Sequence, residues 1–321
     1  MGQAQAYKED PHSGSSKTVA LIVTTIANFS WPFMAASVSI ALPSIEREFK
    51  VDAVLLTWIA MSFTLATATL LVPFSRMSDI YGRKKVFLCG TALFTIASFL
   101  AVLATSAPML IATRILQGVG GAMSFGTSVA IITSVYPLGE RGKPMGIAIG
   151  AVYLGISCGP LIGGFLTQHF GWRSIFVANI PFGILVLALG LLKLKGEWAD
   201  ARGEKFDLAG SIICSAALVA LIVGLTLLPA LNGWLAIMLS LLGFYLFARW
   251  ETRTKNPVVN LALFRNNRVF VLSNIAALIH YSATFAVTFM LSLYLQYVRG
   301  CLLYTSPSPR DYAASRMPSS A

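Results

Sequence analysis

Eight stretches of this chain contain no Asp, Glu, Lys or Arg, and each is of membrane-crossing length: 18–45, 53–75, 86–113, 115–139, 144–172, 174–192, 208–248 and 269–298. Crossing the hydrocarbon of a bilayer takes about 20 predominantly apolar residues in a helix. The longest run, 208–248, holds two helices, with a turn predicted at Pro229–Gly233. Arg114 alone interrupts 86–139, and the break there is predicted at Thr105-Ser106-Ala107-Pro108, because proline favours the first turn of a helix. The reading is an all-α integral membrane protein with nine transmembrane helices. A polar start of 17 residues followed by an overlong apolar run does not fit a cleavable signal peptide.

Charge patterning gives the orientation. Only 12% of residues are charged, about half the share usual in a soluble domain, so a soluble or disordered chain is excluded. The net charge of +11 is distributed unevenly. With the N-terminus in the cytoplasm, seventeen Lys and Arg fall in cytoplasmic segments and four (Arg47, Lys50, Arg173, Arg299) fall outside. That is the positive-inside asymmetry, so the excess charge reports insertion in a plasma membrane and no nucleic-acid partner is expected. Four cysteines without a CxxC pair give neither a disulfide nor a zinc framework. No HExxH or Walker loop is present, so no enzyme, metal or cofactor is expected.

Three short patterns carry the specific signals. The first is Ser75-Arg76-Met77-Ser78-Asp79-Ile80-Tyr81-Gly82-Arg83-Lys84-Lys85, a tight reversal in which Gly82 is free to take positive φ. The second is Arg114-Ile115-Leu116-Gln117-Gly118-Val119-Gly120-Gly121, where Arg114, Gln117, Gly121, Ser124 and Ser128 share one helix face. An arginine near the bilayer centre costs at least about 2.5–3.5 kcal/mol unless it faces water or a partner, so Arg114 is expected to face a cavity. The third is Gly155-Ile156-Ser157-Cys158-Gly159-Pro160-Leu161-Ile162-Gly163-Gly164. Its glycines recur every four residues and make a smooth groove for a neighbouring helix, while Pro160 removes one backbone donor.

Together these patterns resemble the major facilitator superfamily. Asp79, Gly82, Arg83 and Lys84 match its loop between helices two and three, Arg114 and Gln117 its helix-four motif, and Gly155, Gly159, Pro160, Gly163 and Gly164 its antiporter motif. Ser39-Ile40-Ala41-Leu42-Pro43, Trp172-Arg173 with Asn179, and the extra hairpin after helix six resemble the 14-helix drug:proton antiporter branch. The resemblance implies a segment at 1–17, a six-helix bundle at 18–195, a loop, hairpin and basic loop at 196–268 and the first helix of a second bundle at 269–300. Residues 301–321 resemble translated adapter read-through, so a longer transporter cut after helix nine is expected.

The resemblance also implies roles. Asp79, Gly82, Arg83 and Lys84 would form a conformational latch, Arg114 and Gln117 would serve proton transfer, and the helix-five glycines would form a packing groove. Asn28, Ser37, Ser39, His280, Tyr281 and Thr284 are candidate substrate contacts. The branch usually carries an acid where this chain has Met34, and no acid falls within a predicted span, so a coupling acid either lies in helices beyond helix nine or does not exist. His280 is the one intramembrane titratable candidate, with a packing histidine as its other reading. The implied function is proton-coupled export of lipophilic or cationic drugs, with a small-molecule substrate, protons and the lipid bilayer as partners. A metabolite uniporter or exporter without proton coupling is the alternative, and a membrane protein that transports nothing is the third class. In a background with the native cysteines replaced, Lys50→Cys should react with an impermeant maleimide on intact cells and Lys143→Cys only after permeabilisation; the reverse pattern would overturn the orientation.

Overall fold

A computed structural model describes residues 13–259, 264 and 267–297, and every regular element among them is helical. Nine long helices are present: α1 (Ser13–Phe49), α2 (Ala53–Tyr81), α3 (Arg83–Val102), α4 (Ala107–Val135), α5 (Gly142–Phe170), α6 (Arg173–Leu192), α7 (Leu208–Thr226), α8 (Leu231–Glu251) and α9 (Arg268–Tyr297). Among the described residues, eight of them, α1 to α8, are long and apolar enough to cross a membrane. The chain forms two compact units, one ending at Val259 and one beginning at Asn260, so α9 belongs to the second. Of the segment expected at 1–17, residues 1–12 lie outside the described residues and 13–17 belong to α1; the tail expected at 301–321 lies outside the described residues as well.

Helices start where a side chain can accept the orphan amides of the first turn. Asp52 accepts from the Leu55 amide at 2.9 Å, Ser106 from that of Met109 at 3.4 Å, and Asp207 from that of Gly210 at 2.9 Å. The break expected at Thr105–Pro108 is therefore the Ser106 cap, with proline in the first turn. Between α2 and α3 the reversal is tighter than the sequence suggests. Gly82 alone separates them, at φ 114°, a backbone region that L-residues avoid.

Within the first unit α1 packs on α5 and α6, and α4 packs on α2 and α3, while α7 and α8 form a hairpin. The α1–α5 contact depends on glycine. A Cβ at Gly155 would lie 2.5 Å from the Phe29 carbonyl, one at Gly159 would lie 2.5 Å from the Ala36 Cβ, and one at Gly163 would lie 2.7 Å from the Ser37 Cβ. Ser37 fastens the two helices, its hydroxyl donating to the Gly159 carbonyl at 3.0 Å. Pro160 is exposed and points away from this contact.

The opposite end of α1 is held by Arg173. Its Nη1 donates to both Glu48 carboxylate oxygens at 2.6 and 2.8 Å, and its other nitrogens donate to the Val102 and Ala104 carbonyls at 3.1 and 2.8 Å. Trp172 adds an indole N–H to Glu48 at 2.7 Å. One arginine thus joins α1, α6 and the α3–α4 connection. Gly159→Leu should push α1 and α5 apart and cost about 1–3 kcal/mol, read as a lowered unfolding midpoint in detergent; an unchanged midpoint would contradict the glycine-dependent contact.

Candidate functional site

Arg114 is 1% exposed, enclosed by α2, α3 and α4. Its Nε donates to the Ile59 carbonyl at 3.3 Å and its Nη1 to Gln117 Oε1 at 2.9 Å. The guanidinium carbon stands 4.5 Å from the centre of the Phe63 ring, within cation–π range. Gln117 extends the chain, its Nε2 donating to Ser98 Oγ at 2.8 Å, and Ser98 donates to the Phe94 carbonyl at 2.8 Å. None of the described ion pairs includes Arg114. Carbonyl oxygens, an amide and a π-face therefore stabilise a cation that cannot shed its proton.

The rest of the polar face of α4 is also buried. Ser124 donates to the Phe87 carbonyl at 3.1 Å, and Ser128 donates to Asn28 Oδ1 at 3.0 Å, linking α4 to α1. Met34 is buried on α1, and the Asn179 amide nitrogen lies 3.8 Å from its sulfur. Asn179 Oδ1 is buried with no hydrogen-bond partner. Among the remaining candidates Ser37 is buried against α5, and Ser39 is exposed with its hydroxyl returned to the Ala35 carbonyl at 3.1 Å. His280 and Tyr281 lie in the second unit, where their ring centres are 5.6 Å apart. The side chain of Thr284 lies outside the described residues.

A cavity of about 670 Å³ opens between α2, α4 and α7, lined mainly by apolar groups such as Trp58, Leu65, Phe74 and Ile111. Ser62 Oγ in its wall is buried without a hydrogen-bond partner. The volume suits a small organic molecule. Its lining includes neither Arg114 nor Asn28 nor Ser37, so the polar residues singled out by sequence and this apolar cavity are separate features.

At the α2–α3 reversal Asp79 and Arg83 pair across the break at Gly82, with Nε and Nη2 of the arginine 3.0 and 2.7 Å from Asp79 Oδ1. Arg83 Nη2 also reaches Asp200 Oδ2 at 2.6 Å, and Nη1 donates to Ser134 Oγ and, at 3.5 Å, to the Ala130 carbonyl. Lys84 Nζ donates to the Leu194 carbonyl, and its backbone amide donates to Glu197 Oε1 at 2.9 Å. Glu197 and Asp200, which the sequence presents only as two of four acids in a connection with four basic residues, are thus part of this loop's structure. The mixing of Glu197, Asp200, Glu204 and Asp207 with Lys193, Lys195, Arg202 and Lys205 was the available signal.

Residues 24–309 match the sequence model of the Major Facilitator Superfamily. The chain is 30% identical over 283 residues to the riboflavin transporter RibZ of Clostridioides difficile, covering 88% of this chain and 62% of that protein. It is 32% identical over 292 residues to the multidrug resistance protein Stp of Mycobacterium tuberculosis, covering 89% and 54%. With the cephamycin export protein CmcT of Amycolatopsis lactamdurans the identity is 33% over 295 residues, covering 89% and 60%. The chain therefore spans between half and two thirds of these relatives. Among solved structures a peptide transporter POT shares the fold at a TM-score of 0.53 and 16% identity, over 74% of this chain and 52% of that one. The human organic anion transporter MFSD10 does so at 0.50 and 15%, over 66% and 55%.

Gln117→Leu removes the one side-chain acceptor of the buried guanidinium and should cost about 1.5–3 kcal/mol. Arg114→Met/Gln117→Leu, which removes both partners of the bond, should cost less, since replacing donor and acceptor together by apolar groups of similar shape is often near neutral. Unfolding midpoints of the two variants in one detergent check the order.

Proposed function

Because this chain belongs to the major facilitator superfamily, a family of transporters and not of enzymes, we propose that this multi-pass membrane protein exports lipophilic or cationic compounds by alternating access. The observation that carries the reading is Arg114, a guanidinium kept at 1% exposure inside an apolar bundle. Ionisable groups at such depth are costly and mark transport pathways or their gates. Two of the relatives carry names for drug resistance or antibiotic export, which supports this cargo class. The apolar cavity between α2, α4 and α7 supports the lipophilic part of that class, since its lining is mainly apolar.

In this reading the protein lies in the plasma membrane with its N-terminus in the cytoplasm, and the Asp79–Lys84 loop is a cytoplasmic latch. Arg114 and Gln117 form a fixed polar centre that biases charge in the transport path, and the Gly155–Gly164 stripe lets α5 move closely against α1. Asn28, Ser37, Ser39, His280, Tyr281 and Thr284 supply sparse polar contacts. Coupling to protons is part of the proposal, with His280 as its titratable group. The chain's likeness to a riboflavin transporter favours a second reading, transport of one specific metabolite without proton coupling.

Proteoliposomes holding the full-length transporter and given an inward-acidic gradient should take up a lipophilic cation such as ethidium, and collapsing the gradient should abolish uptake. Ethidium uptake that survives the collapse would remove proton coupling. Uptake of riboflavin alone, unaffected by the gradient, would favour the second reading.

A further inference from the structure

The connection from α6 to α7 is a built element. Leu194 and Ala201 are buried, and two glycines at φ +92°, Gly196 and Gly203, bracket the stretch between them. Two backbone hydrogen bonds hold that stretch against the α2–α3 reversal, Arg83 N to Trp198 O at 2.8 Å and Ala201 N to Asp79 O at 3.0 Å. Glu197 lies beside Gly82, where a Cβ would collide with its carboxylate, and accepts the Lys84 amide at 2.9 Å. The first turn of α3 has no capping side chain of its own, since its N-cap is Gly82. A carboxylate from 113 residues away in the chain therefore caps it, where the helix dipole also favours negative charge. Asp200 takes Arg83, and Glu204 pairs with Arg76 at 2.5 Å.

These contacts use every donor of Arg83. A guanidinium has five N–H donors, and those of Arg83 are committed to Asp79, Asp200, Ser134 and Ala130. Another acidic group can reach Arg83 and the α3 N-terminus only by displacing one already there. Asp200 is the partner most easily displaced, with a side chain 73% exposed against 30% for Asp79. Exposed charge pairs hold weakly and yield to salt, and the flanking glycines permit the backbone change that release requires.

We propose that residues 194–204 form a releasable clasp, in which Glu197 and Asp200 occupy the α2–α3 loop and exclude any other acidic partner until the clasp lifts. The inference rests on contacts within the first unit and stands whether or not the protein transports a drug. Its test is hydrogen exchange on the whole chain in lipid nanodiscs, together with binding of fluorescent hexaglutamate. In Glu197→Gln/Asp200→Asn the Arg83 and Ala201 amides should exchange roughly tenfold faster, as expected when charge-assisted hydrogen bonds are lost, while amides of α1 and α5 keep their wild-type rates. Hexaglutamate should bind the variant roughly tenfold more tightly than the wild type. In the unmodified protein, raising the salt concentration should speed exchange at Arg83 and Ala201 alone. Unchanged clasp exchange, acceleration spreading to α1 and α5, or equal hexaglutamate affinity in the two proteins would each overturn the proposal.

Discussion

Hydrocarbon offers no water to a polar group, and the polar chemistry of this bundle is arranged around that shortage. Most hydroxyls inside the helices return to the carbonyl one turn back: Thr24 to Ala20, Thr69 to Leu65, Thr91 to Phe87 and Ser98 to Phe94. The same pressure shapes the surroundings of Arg114. With no carboxylate to pair with, its guanidinium is satisfied by a carbonyl of α2, an amide on its own helix and an aromatic face. Among the buried polar atoms left without a partner are Asn179 Oδ1 and Ser62 Oγ, one beside Met34 and the other in the wall of the apolar cavity.

Charge is used differently at the two ends of the bundle. At one, Arg173 gathers α1, α6 and the α3–α4 connection through a bidentate bond to Glu48 and two carbonyls. At the other, Arg83 gathers α2, α4 and the segment after α6 through two carboxylates, a hydroxyl and a carbonyl. Both positions combine a planar fork of donors with acceptors from separate elements, a geometry that lysine's point charge does not reproduce. Between the two ends the helices adhere by shape as well as by hydrogen bonds, and the Gly155, Gly159, Gly163 stripe of α5 against α1 is the clearest case of shape.

Much of this is legible in the sequence because a bilayer imposes a simple rule on composition. Charge-free runs located the helices, and the Ser106 cap stands where the Thr105–Pro108 cluster put a break. The single-residue reversal at Gly82 was marked by the one residue type that tolerates its backbone. Helix ends were less legible: α1 runs from Ser13 to Phe49, beyond its charge-free run of 18–45. Charged residues at the interface continue a helix as readily as they end it, because their heads reach water while the backbone stays paired.

Composition and periodicity by themselves determined that this chain is a multi-helix membrane protein, where its spans fall and which small or polar residues share a helix face. Such properties are local, set by the hydrocarbon thickness and the helical repeat. Tertiary structure decided who partners whom. That Ser128 meets Asn28, that Gln117 meets Ser98 and that Glu197 caps a helix far back in the chain depend on which faces the folded helices turn to one another. Spacing along one helix carries no information about its neighbour. Hydrogen bonds between elements distant in sequence become readable only when packing has brought their donors and acceptors together.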